Sequence, residues 1–241
     1  MQNHIITNQL EGRNDFPEGN LSEIVANPSE SLFSRQTLML QQLDIPNLVS
    51  ITGLVCSFFA VIASVQTDFD FAMILLIGAG LTDILDGLIA RKIQRTELQA
   101  NIGKQLDSLV DICAFGLTPV IFAYFFGLQD NLSLGILLIY LIASALRLAF
   151  FNAVGLVADK DKQYFTGLPI TSTALVIPIV FLANFAIPLF WMKLLLQIIY
   201  LLLAMLMVAN VKIQKLSGIW YGIALGGGLG IGGIYVWQNL P

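Results

Sequence analysis

Residues 69–90 read FDFAMILLIGAGLTDILDGLIA, and after a polar break residues 105–127 read QLDSLVDICAFGLTPVIFAYFFG. Each run is apolar on every face and close to the ~20 residues a helix needs to cross hydrocarbon at about 1.5 Å per residue. Each nevertheless carries a pair of aspartates, Asp83 and Asp86 in the first and Asp107 and Asp111 in the second. Helices this apolar would leave a soluble bundle without a solvent-facing surface. Comparable runs recur at 46–65, 132–156, 168–186, 190–210 and 219–237. The pattern predicts an all-α, polytopic membrane helix bundle of about six to eight spans, with seven the direct reading.

Composition agrees. Of 241 residues, 56% are hydrophobic and 12% charged, against roughly a quarter charged in an ordinary soluble domain. The formal charge is −4, and no basic stripe suited to phosphate backbones is present, so no nucleic-acid partner is expected. The one histidine, His4, lies in the polar tail, which excludes a histidine ligand or triad within the spans. Cys56 and Cys113 fall inside apolar runs and read as buried structural thiols.

Residues 1–44 form a polar N-terminal tail without the basic, apolar and small-residue succession of a signal peptide. Leu32, Phe33, Gln36, Leu40 and Leu43 would share one face of a short interfacial helix, the alternative being a plain leader. Residues 45–210 make the main transmembrane unit, and 211–241 add a Gly-rich segment. Arg13, Arg35, Arg91, Lys92, Arg95, Lys104, Lys160, Lys162, Lys212 and Lys215 lie in the tail and alternate loops, against Lys193 alone in the others. The positive-inside bias puts the tail and those loops in the cytoplasm, and an odd span count puts Pro241 outside. Trp220, Tyr221, Tyr235 and Trp237 would seat the last span at both interfaces. Gly218, Gly222, Gly226 and Gly230 form a ridge at spacing four, suited to packing within the chain or, less favoured, to dimerisation.

The aspartates are the costly feature. At a bilayer centre each costs roughly 2.5–3.5 kcal/mol, so four cost on the order of 10–14 kcal/mol before relief. Residues three or four apart share a helix face, so two adjacent antiparallel helices would aim all four carboxylates at one point, in a wet cavity at the cytoplasmic side. Oxygen-only ligands without His or Cys suit Mg²⁺ or Mn²⁺, and four carboxylates suffice for two ions. Gly87 leaves room beside Asp86, Ala90 and Arg91 lie about a turn further on, and Gly103 precedes Asp107 by a turn, together favouring a phosphate-bearing ligand. Arg147 is the one base well inside a span, placed to meet a ligand phosphate or carboxylate or to pair with an aspartate.

The string Asp83-x-x-Asp86-Gly87-x-x-Ala90-Arg91, then Gly103-x-x-x-Asp107-x-x-x-Asp111, resembles the signature of the CDP-alcohol phosphatidyltransferases. The resemblance implies that Asp83, Asp86, Asp107 and Asp111 hold two divalent cations, with Asp111 also the catalytic base. It further implies that Gly87, Ala90, Arg91, Gly103 and Asn47 form the nucleotide pocket. It covers most of 45–185. Leu106–Asp111 with Phe115-Gly116 and Pro119, Leu146–Ala149 with Phe151-Asn152, and Gly167-Leu168-Pro169-Ile170 lean toward family members that use L-serine as acceptor. Three features depart: eleven residues between Arg91 and Gly103 where about eight are usual, Phe150 in place of a second arginine, and Thr171-Ser172-Thr173 in place of a Pro-Ala-rich stretch. The implied partners are CDP-diacylglycerol, a small alcohol, membrane lipids and a second copy of the chain, in the inner membrane of a bacterium with the site facing the cytoplasm. Glycerol 3-phosphate, an inositol phosphate or choline remain alternative acceptors, and a cation transporter built on the same carboxylates is the reading from another class.

Overall fold

A computed structural model describes residues 41–155, 157–159, 162–214 and 219–238. The proposed tail helix, Trp220, Tyr221 and Gly218 lie outside the described residues or side chains. Asp44 caps α1 (Ile45–Val65), its carboxylate accepting from the Asn47 amide, with Pro46 in the first turn. Asp68 caps α2 (Phe69–Ala90) in the same way. A capping box of Thr96 and Gln99 starts α3 (Glu97–Asp111). Helix α3 runs through a π-helical segment, Ile112–Leu117, into α4 (Thr118–Phe126), so that Glu97–Phe126 is one 30-residue rod. Gly127, at φ 115, then ends it in the left-handed conformation that glycine adopts without penalty.

Asp130 caps α5 (Asn131–Val154) and takes a further bond from the Ser133 hydroxyl. These bonds, that from the hydroxyl first, hold the Asp130 carboxyl below the usual carboxylate range. Helix α6 (Thr173–Phe181) sits between 3₁₀ turns at Ile170–Ser172 and Leu182–Phe185. Helices α7 (Leu189–Val208) and α8 (Ile219–Gln238) follow. Among the described residues, five helices are long and apolar enough to cross a membrane: α1, α2, the 30-residue rod, α5 and α7. A shorter apolar stretch at Ile170–Phe185 and the 20-residue α8 complete the bundle. The protein is a polytopic membrane helix bundle.

The helical expectation leaves out one element. Strands β1 (Val157–Asp159), β2 (Lys162–Thr166) and β3 (Lys212–Gln214) pair antiparallel in that order, with Val157 opposite Tyr164 and Thr166 opposite Lys212. Two charged loops are thereby tied together by main-chain bonds, which no side-chain pattern announced. Gly167 completes the join: its φ is +78, its amide donates to Val211 O at 2.8 Å, and a Cβ there would collide with the Met207 carbonyl.

In lipid the hydrophobic effect does not draw helices together, so close packing must. Helix α2 is the centre, approached by α1, α6 and α8. A Cβ on Gly53 would stand 2.7 Å from Thr82 Oγ1, and one on Gly80 would stand 2.6 Å from the Ala174 Cβ. Farther from the aspartates, Phe69 and Phe181 meet Phe122 and Phe126 edge-on, with centroids 5.0 Å apart for Phe122 and Phe181 and 5.2 Å for Phe69 and Phe126, while Phe122 and Phe126 stack. The glycine ridge is oriented differently from the favoured sequence reading. It is Gly228 that meets Leu81 and Ile77 on α2, whereas Gly222, Gly226 and Gly230 have no neighbour within 4 Å of a built Cβ. Tyr235 turns inward and donates to Pro178 O at 2.6 Å, while Trp237 is exposed.

Replacing Gly80 by Val forces α2 and α6 apart, and such overpacking costs about 1–3 kcal/mol. A clear fall in the detergent thermal midpoint is expected for G80V. Gly135→Ala, where a Cβ meets nothing within 4 Å, should leave the midpoint at or above that of the wild type.

Candidate active site

The C-terminal end of α2 presents Asp83 and Asp86 about 60° apart around the helix, and α3 presents Asp107 and Asp111 about 40° apart. The two helices bring these faces together. Carboxylate oxygens of Asp83, Asp86 and Asp107 lie within 4.8 Å of one another. Asp111 stands one turn beyond Asp107 at the end of α3 and lines the same space. All four line one cavity of about 590 Å³. Crowding this much negative charge away from bulk water is unfavourable unless a cation is supplied, and an all-oxygen donor set fits a hard divalent ion.

A serine that the sequence reading passed over fixes one of these carboxylates. Ser50 of α1 is buried, and its hydroxyl donates to Asp86 Oδ2 while standing 3.2 Å from Pro46 O. The sequence does not single it out, because the same span carries Thr52, Ser57 and Ser64.

The remaining candidates divide into two groups. Gly87, Arg91 and Arg147 line the cavity with the aspartates. Gly87 has nothing within 4 Å of a built Cβ, so its backbone is bare to the cavity. Arg147 is 5% exposed; its Nε donates to Leu168 O at 3.1 Å and its guanidinium lies 5.4 Å from the Phe151 ring centroid. Asn47 and Gly103 do not line the cavity and gather instead around Arg95. Ala90 ends α2 outside the cavity lining.

Arg95 explains what the long Arg91–Gly103 segment does. Its Nε donates to Asp44 Oδ2 at 2.5 Å and its Nη2 to Asn47 Oδ1 at 2.9 Å and Gln99 O at 3.2 Å. A Cβ on Gly103 would collide with that guanidinium. One arginine thus pins the start of α1 to the start of α3. Asn152 Nδ2 adds a bond to Ser108 Oγ at 2.9 Å, tying α5 to the residue after Asp107.

The sequence profile of the CDP-alcohol phosphatidyltransferases matches residues 43–223. The chain belongs to that family. It is similar to the archaetidylserine synthase of Methanothermobacter thermautotrophicus, 29% identical over 177 residues that cover 72% of this chain and 71% of that one. It is also similar to proteins named CDP-diacylglycerol–serine O-phosphatidyltransferase. That of Bacillus subtilis is 30% identical over 128 residues, covering 52% of this chain and 68% of the relative. That of Saccharomyces cerevisiae is 36% identical over 96 residues, covering 38% and 34%. Helix α8 lies largely beyond the family match, yet Ala224 lines the cavity.

Groups that orient a metal ligand typically contribute 10–100-fold to affinity or activity. Ser50→Ala should therefore weaken Mn²⁺ binding about tenfold in a titration followed by the electron paramagnetic resonance of the free ion, with the fold retained.

Proposed function

We propose that the protein transfers the phosphatidyl group of CDP-diacylglycerol to the hydroxyl of L-serine, forming phosphatidylserine and releasing CMP. The observation that carries this reading is the convergence of four aspartates, Arg91 and Arg147 on one cavity in the membrane bundle. Family membership supplies the reaction class, and the names of the similar proteins favour serine.

Asp83, Asp86, Asp107 and Asp111 would hold two divalent cations, Mg²⁺ or Mn²⁺. Ions held there would supply positive charge to the diphosphate and to the departing CMP oxygen. Asp111 accepts the serine hydroxyl proton as that oxygen forms a bond to the lipid-side phosphorus and the bond to CMP breaks. Arg91 offers a planar fork to a phosphate. Gly87 lets the diphosphate lie against backbone. Arg147, held by Leu168 O and Phe151, meets the serine carboxylate or the lipid phosphate. Asn47 and Gly103, with Ala90, would shape the nucleotide end through the Arg95 pin. Acceptors that carry their own phosphate call for further bases, and of the described bases only Arg91 and Arg147 line the cavity. This favours a zwitterionic alcohol.

The ten-to-one asymmetry of Lys and Arg between alternate loops supports a cytoplasmic-membrane protein with the cavity on the cytoplasmic side, where serine and CMP reside. The lipid tails of the donor remain among the apolar helices while its head enters between them.

Purified protein in detergent should release CMP from CDP-diacylglycerol in the presence of serine and Mg²⁺ or Mn²⁺, and chelation should stop it. Release that continued without metal would sink the reading. Asp111→Asn should lower kcat by about 10²–10⁴-fold while the protein stays monodisperse. Serine should outpace glycerol 3-phosphate, inositol phosphate and choline in a panel of acceptors.

A further inference from the structure

Asp111 is the last residue of α3, and the helix after it is not α-helical. π-Helical turns are rare and concentrate at functional sites. The turn at Ile112–Leu117 has a geometric effect. In an unbroken α-helix Asp111 and Phe122 would point in directions only about 20° apart. Taking up one extra residue in the π turn rotates them to about 80° apart. Asp111 thereby faces the cavity while Phe122 faces Phe69 and Phe181.

Something must hold that wider turn in place, and Tyr140 of α5 is positioned to do so. Its side chain is fully buried, and its hydroxyl donates to Phe115 O, inside the turn, at 2.5 Å. A phenol has one proton to give. The Thr173 hydroxyl, 3.0 Å away and also fully buried, is therefore the donor to the phenol oxygen. Thr173 opens α6 directly after Ile170–Ser172, three residues that line the cavity. Thr118 Oγ1 closes the same turn on Cys113 O at 2.9 Å, and Tyr200, edge-on to Tyr140 at 5.0 Å, donates to Pro119 O at 2.5 Å. The turn is thus fastened from outside its own helix at the Phe115 carbonyl, and the helix just beyond it at the Pro119 carbonyl.

We propose that Tyr140 is a positioning residue: by bridging the Phe115 carbonyl and the Thr173 hydroxyl it locks the π turn, keeps Asp111 aimed at its fellow carboxylates, and couples that aim to the Ile170–Ser172 wall. This deepens the phosphatidyl-transfer reading and rests on it for the role of Asp111, but the aim of the carboxylate is measurable without any substrate.

The test is Tyr140→Phe, which keeps the ring and its packing on Tyr200 and removes only the hydroxyl. Mn²⁺ affinity of the folded, monodisperse protein should fall about tenfold, the scale on which orienting groups act on metal ligands. Serine-dependent CMP release should lose kcat with the KM for CDP-diacylglycerol unchanged. Thr173→Val should do the same more mildly, because the bond to Phe115 survives, and Thr173→Ser should restore wild-type values. A merely structural tyrosine would lower the thermal midpoint and leave Mn²⁺ affinity and kcat per folded molecule unchanged, which would overturn the proposal. Weakened Mn²⁺ binding in Tyr140→Phe beside a wild type that makes no phosphatidylserine would uphold the positioning role and remove the serine reading. A wild type that bound no Mn²⁺ would overturn both.

Discussion

Negative charge cannot be stored in hydrocarbon singly, so four carboxylates on two membrane helices dictate much of what surrounds them. They must share a cavity and a counter-charge, and they must be held against mutual repulsion. Each neighbouring element contributes to that end. Helix α1 brings Ser50 to Asp86, and Arg95 pins α1 to α3 so that the aspartates of α3 keep their distance from those of α2. Helix α5 brings Asn152 to Ser108 and Tyr140 to the turn after Asp111. The tight contacts at Gly53 and Gly80 serve the same requirement, because a site built from facing helices is only as well defined as the spacing between them.

What could be read in advance follows from the range of the forces involved. The spans and the sharing of faces by Asp83 with Asp86 and Asp107 with Asp111 depend on helical periodicity alone, which is local. The caps at Asp44, Asp68 and Asp130 are equally local. Arg95 was counted only as a charge that sets orientation, because its partners Asp44 and Asn47 lie some fifty residues away. Ser50 and Tyr140 stayed hidden for the same reason: one hydroxyl among several in a span has no meaning until its acceptor is known. The one local sign of the π turn is Pro119, which has no N–H for the Phe115 carbonyl four residues back; the partner that carbonyl finds instead, Tyr140, lies on another helix. The sheet joins loops whose lysines spoke for topology and not for pairing. The glycine ridge shows the limit of spacing arguments. Period four identified a face of α8, but Gly228, outside the ridge, is the residue against α2.

Arg147 is legible as an anomaly and becomes specific only in three dimensions. Its bond to Leu168 O and its seat over Phe151 use part of the guanidinium and leave the group lining the cavity, where the motif Leu146–Ala149 alone could not place it.

The four-phenylalanine cluster bears on permeation. Phe69 opens α2 some fourteen residues before Asp83, a rise of about 21 Å, and with Phe122, Phe126 and Phe181 it fills the bundle at that end with ring-to-ring contacts. A hydrated pocket cut part-way through a bilayer shortens the insulating layer that remains, and ions would leak wherever the rest of the path were loosely filled. Interlocked rings, without a polar group to solvate a passing cation, keep the membrane's electrical resistance beneath a site that concentrates charge. A carrier would have to open that plug on every cycle, whereas an enzyme working from one side can leave it permanently shut.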